Sequence, residues 1–201
     1  IGVALVTHRS AEDAAEAAAA WPETIGGRSL SIFVLDNSED PRELAKLRTA
    51  LPRAELLTAD DNLGYAAGNN ILLQRMRDVG CDFGLIVNPD IRIDAAAIEV
   101  LLAEAEQGRI VSPLILNEAG APSFTGGKAT VGDRVSIAQV AAPGETPYQV
   151  DLLQGSAVMT PLALLDTIGF MDESYFLYFE ETDWFLSMKD KAALYVAPAA
   201  V

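Results

Sequence analysis

Four apolar runs in this sequence stop on acids, amides or hydroxyls. The first ends at Thr7-His8, the second at Asp36-Asn37-Ser38, the third near Asp60-Asp61-Asn62 and the fourth at Asn88-Pro89-Asp90. Asp and Asn are common turn residues, so one such end is ordinary. Four of them converging on one rim would make a polar, acidic shelf. A second group lies towards the C-terminal end. In FLYFEETDW, Glu180, Glu181 and Asp183 stand among Tyr175, Phe176, Tyr178, Phe179 and Trp184. Acids at a helix start are favoured by the helix dipole, which is the bland explanation. Partial burial by the aromatic rings would raise a carboxylate's pKa and make it a better base.

Between these groups lies NLGYAAGNN, residues 62–70. Gly64 and Gly68 flank a helix start but match neither G-x-G-x-x-G nor the P-loop pattern. They read as a tight turn that lets a ligand approach the backbone. Asn69 and Asn70 are poor helix formers inside a helix, which favours a polar role. His8, the single histidine, reads as a surface or satisfied residue rather than a catalyst.

The elements that must position these residues alternate. Strands are expected over 2–7, 30–37, 54–59, 85–87 and 109–116, each a near-continuous apolar run. Helices are expected between them. Ser10 and Asp13 suggest a capping box for a helix reaching about Trp21. Asp40-Pro41 suggests an N-cap with Pro at N1 for a helix to about Leu51. Leu72, Leu73 and Met76 mark the buried side of the helix after Gly64. Asp94 caps a helix that Gly108 stops. This order predicts an α/β fold, a mostly parallel, Rossmann-like central sheet with helices on both faces and a small antiparallel element. Ligands on such sheets sit outside the carboxyl ends of the strands, where the four polar ends fall. Residues 117–149, rich in Gly, Pro, Ser and Thr, are expected to be a loop or hairpin insertion within one domain spanning 1–201. FTGGKATVGDR inside it reads as ordinary loop, with an acceptor-side lid as the alternative. Core-like sequence resumes at YQVDLLQGSAVMT, and Thr160-Pro161 is expected to open a short helix closed by Gly169.

With 201 residues, half of them hydrophobic, the chain can bury a sizeable core. Its formal charge of −15, from 29 acidic and 14 basic residues, argues against nucleic acid as a partner. An anionic substrate would need a local offset to that field, and a divalent cation is the natural one. One cysteine, Cys81, excludes a disulfide framework.

The order of motifs resembles the family 2 glycosyltransferases of the GT-A fold, especially their rhamnosyltransferase-like branch. VALVTHRS, VLDNSED, NLGYAAGNN, LIVNPDIRI and LLQGSAVMTPLALLDTIGFMDESYFLYFEETDW follow in that family's order, over nearly the whole chain outside 117–147. The resemblance implies an inverting transfer from a UDP-, dTDP- or GDP-sugar to an acceptor hydroxyl, assisted by Mg²⁺ or Mn²⁺. It implies Asp36 on the nucleobase or ribose, with Thr7 and the turn of Asn62 and Gly64, followed by Asn69, lining the same pocket. Asp90, with Asn88 beside it, would hold the metal. Gln154, Gly155 and Ser156 would line the sugar and acceptor side with Glu180 and Asp183, and Glu181 would be the general base.

The resemblance further implies a glycan or lipid-linked acceptor and a cytoplasmic location, with peripheral contact at the inner membrane face. Glu181 stands where the family usually has Asp, and no Arg follows Asp183. The family often has a metal-binding His past a stretch like VAPAAV, so a C-terminal truncation is expected. A non-catalytic nucleotide-sugar-binding module is the alternative. A nucleotidyltransferase would want glycines after the first strand, where THRSAED has none.

Overall fold

The computed structural model describes residues 1–131, 135–141 and 144–200. In chain order the elements begin with β1 (Gly2–Thr7), α1 (Ala11–Ala18), a small hairpin of β2 (Thr24–Ile25) and β3 (Arg28–Ser29), β4 (Ser31–Asp36), α2 (Pro41–Ala50) and β5 (Glu55–Thr58). Then come α3 (Gly64–Asp78), β6 (Phe83–Val87), α4 (Ala95–Ala105) and β7 (Arg109–Pro113). The remainder holds β8 (Gly127–Val131), β9 (Val135–Gln139), β10 (Tyr148–Val150), β11 (Ala157–Pro161), α5 (Leu165–Ile168), α6 (Glu180–Ser187) and β12 (Ala193–Ala197).

One eight-stranded sheet organises the chain, in the order β10-β12-β7-β11-β6-β1-β4-β5. β5, β4, β1 and β6 are parallel neighbours. β11 enters antiparallel between β6 and β7, β12 runs parallel to β7, and β10 closes the far edge antiparallel to β12. The strands bury side chains on both faces because helices cover both. Val3, Leu5, Val34, Leu85, Val87 and Val111 point to the layer of α1, α2 and α4. Ala4, Phe33, Leu35, Ile86, Ile110 and Val158 point the other way, to α3, α5 and α6. The expected mostly parallel α/β sheet with a small antiparallel element is therefore the observed one.

Some local expectations give way. The capping box at Ser10 does not form, since Ser10 makes no side-chain cap bond. Its partner Asp13 instead turns towards Arg92, at 3.9 Å. α1 ends at Ala18, because Trp21 leaves the helical path to donate its Nε1–H to the Ile93 carbonyl at 2.9 Å. The strand expected to reach 116 stops at Pro113. Pro161 ends β11 instead of starting a helix, and the helical turn begins at Leu162. Asp40 and Asp94 cap as expected, accepting from the backbone N–H of Arg42 at 2.9 Å and Ala97 at 2.8 Å. Within the expected insertion, β8 and β9 pair antiparallel, and Asp151 ties them down by accepting from Ala129 N–H at 2.9 Å and Lys128 at 3.2 Å. Positions 132–134 and 142–143, part of that expectation and of the FTGGKATVGDR reading, lie outside the described residues.

Candidate active site

The polar strand ends do meet. β4 and β6 lie on opposite sides of β1, so the chain changes direction around β1 and leaves a crevice beyond its C-terminal end. A cleft of about 450 Å³ opens there. Thr7 and His8 from β1, Asn37 from β4, and Asn88, Pro89 and Asp90 from β6 line it, with Asn62, Gly64 and Tyr65 from the start of α3. Ser10, Asp13, Phe176 and Leu177 complete the wall.

Each lining group is fixed by its neighbours. Pro89 sits at the second position of a turn in which Ile91 N–H donates to the Asn88 carbonyl at 3.0 Å, its favoured place. That turn leaves Asp90 exposed at the mouth. The Thr7 hydroxyl donates to the Leu35 carbonyl at 3.2 Å. Asn37 donates to the Gly64 carbonyl at 3.1 Å, while its Oδ1 is buried without a partner. His8 Nδ1 lies 2.9 Å from the Asn37 carbonyl and 3.3 Å from Asn62 Nδ2. With a proton on Nδ1 the ring donates to the carbonyl, and the Asn62 contact is packing only.

The glycine turn is required by space. Gly64 has φ +76, and a Cβ there would fall 2.1 Å from the Phe176 carbonyl oxygen. That same carbonyl accepts Tyr65 N–H at 3.0 Å, satisfying one of α3's free N-terminal donors. Gly68 lets α3 approach β1, since a Cβ there would sit 2.9 Å from Val6 Cγ1.

From Tyr65 the site continues to the carboxylates. The phenol donates to the Gly155 carbonyl at 2.7 Å. Gly155 lies against Glu181: a Cβ at 155 would be 2.9 Å from Glu181 Cγ. Ser156 accepts Asn88 N–H through its carbonyl at 2.8 Å, so the segment 154–156 spans from the Asp90 turn to α6. Gln154 accepts from Ser123 at 2.8 Å. Burial, and after it the charges of Glu181 and Glu180, hold the Tyr65 phenol well above its ordinary range. It is a permanent donor.

The expected arrangement of the acids differs from the observed one. Phe176, Tyr178 and Phe179 are exposed and do not wall in the acids, while Trp184 is buried and donates to the Gly169 carbonyl at 3.0 Å. Tyr178 and Phe179 take left-handed φ values of +69 and +71, which swings the rings outward just before α6. The acid buried is Glu180, at 4% exposure, while Glu181 is half-buried and Asp183 exposed. Burial first pushes the Glu180 carboxyl upward. Its own backbone N–H works against this, and the neighbouring Glu181 charge adds to it.

Two of the residues expected on the nucleotide side, Asp36 and Asn69, do not line the cleft, and Gln154, Gly155, Ser156, Glu180 and Asp183, expected on the sugar and acceptor side, lie beyond it. Asp36 is buried, with Oδ1 accepting Ser38 N–H at 2.9 Å. Asn69 is buried and donates to the Tyr65 carbonyl at 3.0 Å. Its neighbour Asn70 clamps Met171, donating to its carbonyl at 2.9 Å and accepting its N–H at 3.1 Å. Asn37, Tyr65, Asp13 and Ser10 were not selected from sequence. Asn37 had a signal, its place at a strand end beside Asp36. Tyr65 had none, because its partner is 90 residues away.

An acidic cleft at the switch point of such a sheet, leading to a carboxylate pair, defines a class. By fold this chain has GT-A architecture, and its relatives in sequence are glycosyltransferases. Among solved structures it superimposes on GalNAc-T7 with UDP, GalNAc and Mn²⁺ at a TM-score of 0.71 and 11% identity, covering 98% of this chain and 42% of that one. It superimposes on S. aureus TarS at a TM-score of 0.63 and 15% identity, covering 98% and 36%. These likenesses establish the fold. In sequence it is 30% identical over 130 residues to the low-salt glycan biosynthesis hexosyltransferase Agl10 of Haloferax volcanii, 61% of this chain and 42% of that protein. It is 24% identical over 185 residues to the N-acetylglucosaminyl-diphospho-decaprenol L-rhamnosyltransferase of Mycobacterium tuberculosis, 78% of this chain and 60% of that protein. The chain spans about half the length of these relatives. No family model matches it.

Proposed function

We propose that this domain transfers a sugar from a nucleoside-diphosphate donor to an acceptor hydroxyl with inversion, within glycan or cell-wall precursor synthesis. The observation that carries the reading is the continuous path from the cleft through Tyr65 and Gly155 to Glu181. The nucleotide lies along the ends of β1, β4 and β6. Glu181 takes the proton of the acceptor hydroxyl. The freed oxygen attacks the anomeric carbon from the side opposite the diphosphate, whose bond to that carbon breaks. The Tyr65 phenol holds the 154–156 segment, and with it Glu181, in line with the cleft.

Among the described residues the lining of the cleft contains no Lys or Arg, and its carboxylates are Asp13 and Asp90. A diphosphate there needs a counter-charge. Asp90 is exposed and enters no hydrogen bond or ion pair among the described residues. With the Asn88 amide it offers hard oxygen donors that suit Mg²⁺ or Mn²⁺. Among the described residues no three His, Cys, Asp or Glu gather to hold an ion by themselves. The fit is therefore to a cation shared between Asp90, Asn88 and the donor's own oxygens. Such an ion, when bound, offsets charge on the departing diphosphate.

The acceptor we propose is a glycan or lipid-linked hydroxyl compound. The relative named for a decaprenol-linked acceptor supports it. None of the described helices is long and apolar enough to cross a membrane. The test is a thermal-shift screen of UDP, dTDP and GDP with and without Mn²⁺, followed by donor turnover. We expect a Mn²⁺-dependent shift for one base and turnover of its sugar conjugate. No shift for any nucleotide overturns the reading. A shift without turnover leaves a binding module.

A further inference from the structure

We propose that Glu180 carries a proton at neutral pH and donates it to Glu181, which makes Glu180 the positioning residue that keeps the neighbouring carboxylate aimed into the site. The geometry behind this is a shortage of donors. Oε2 of Glu180 and Oε2 of Glu181 are both shut off from solvent, and neither has a hydrogen-bond partner. An ionised carboxylate only accepts. Two ionised groups on adjacent residues would leave two buried acceptors facing like charge, an arrangement that costs free energy twice over. One proton between them supplies the missing donor and removes one of the charges.

The backbone N–H of Glu180 acts on its own carboxyl but leaves both Oε2 atoms without a partner, and Tyr65, Gly155 and Asp183 do not supply the donor. From α3, the Tyr65 phenol gives its hydrogen to the Gly155 carbonyl. From the 154–156 segment, Gly155 presents no side chain, and the place of its Cβ is taken by Glu181. From α6 itself, Asp183 is exposed and acceptor-only. Among the described residues neither glutamate enters a salt bridge, so no cation neutralises them. The burial that raises the Glu180 carboxyl, and the adjacent Glu181 charge, act in the direction the shared proton requires. Glu181 is then the ionised partner. Its Oε2 is held by the proton, leaving its other oxygen for an acceptor hydroxyl.

The catalytic consequence rests on Glu181 being the base, but the proton itself does not. It is tested by ¹³C NMR titration of glutamate side-chain carboxyls in the wild type, Glu180→Gln and Glu181→Gln. We expect one carboxyl in the wild type to remain protonated through neutral pH, and its resonance to be missing from Glu180→Gln. Ordinary titration of Glu180, near about 4.3, overturns the proposal. A second arm measures hydrolysis of UDP-glucose, dTDP-rhamnose and GDP-mannose. Glu180→Ala should lower kcat about tenfold or more with KM little changed. Glu180→Gln, whose amide still donates, should recover most of that loss. Equal kcat in Glu180→Ala and wild type overturns the positioning role. If no form of the protein hydrolyses any donor, the transferase reading fails, and the NMR titration alone decides the proton.

Discussion

The two ends of the site are built in different ways. The rim that carries Thr7, Asn37 and Asp90 comes from β1, β4 and β6, three adjacent parallel strands. Each delivers its last side chains to the crevice by stopping, and local signals such as Pro89 and the Asp94 cap decide where it stops. The end that carries Glu180 and Glu181 comes from segments joined over long separations. Tyr65 reaches Gly155, 90 residues away, and Asn70 reaches Met171, 101 residues away. β11 must insert between β6 and β7 before segment 154–156 can meet either. The rim is accordingly polar and open, and the far end is where a carboxyl becomes buried. An open rim suits a charged ligand that brings its own counter-ion. A buried acid suits proton transfer, which needs a pKa moved from its ordinary place.

The sharpest way to separate the two ends is Glu181→Gln. It should lower donor turnover by about 10²–10⁴-fold, the range for a lost general base, while the nucleotide-induced thermal shift stays. Turnover within a few-fold of wild type would remove Glu181 from the chemistry. Asp90→Ala should do the reverse at the other end. The Mn²⁺-dependent part of nucleotide binding should weaken by about tenfold or more, about 1.4 kcal/mol, read by calorimetry. An unchanged Mn²⁺ dependence would put the cation elsewhere.

Tyr65→Phe should break the comparison itself, because the phenol bolts the two ends together. It leaves the half-buried Gly155 carbonyl without its phenol donor and should cost about 1 kcal/mol in denaturant unfolding, with turnover falling and nucleotide binding retained. Asp94→Ala should touch neither end, losing about 1 kcal/mol of stability for the missing cap with turnover unchanged.

A separate effect is one of pH. The folded-state pKa of Glu180 is raised, so its contribution to stability is present below the unfolded value and lost as pH rises through the folded one. Glu180→Gln cannot ionise. Its Tm relative to wild type should therefore rise as the pH is taken from about 4 to about 8, and a flat difference would place the ionisation elsewhere.

The same contrast explains what could be read beforehand. The alternation of apolar strands with capped helices gave away the sheet and the rim, because strand ends and caps are set by residues within a few positions. The expectation for Asn69 as a polar site residue came from its low helix propensity. Its amide donates within its own helix instead, and it is Asn70 that reaches across the fold. The aromatics before α6 were expected to shelter the acids. Two consecutive left-handed residues turn Tyr178 and Phe179 outward, and no composition rule foretells that. The mistaken capping box at Ser10 has a similar cause, since Asp13 has a competing partner in Arg92, far along the chain.

By itself, then, the sequence determined the sheet, the rim on which Asp90 stands and the placing of three acids at one helix start, because hydrophobic period, turn chemistry and capping act over short range. Tertiary structure alone decided that Glu180 is the buried acid, that Tyr65 links the two ends and that Asp36 turns its carboxylate to Ser38 rather than to the cleft. Burial and hydrogen-bond partnership are set by whatever packs alongside, and here those neighbours come from distant parts of the chain.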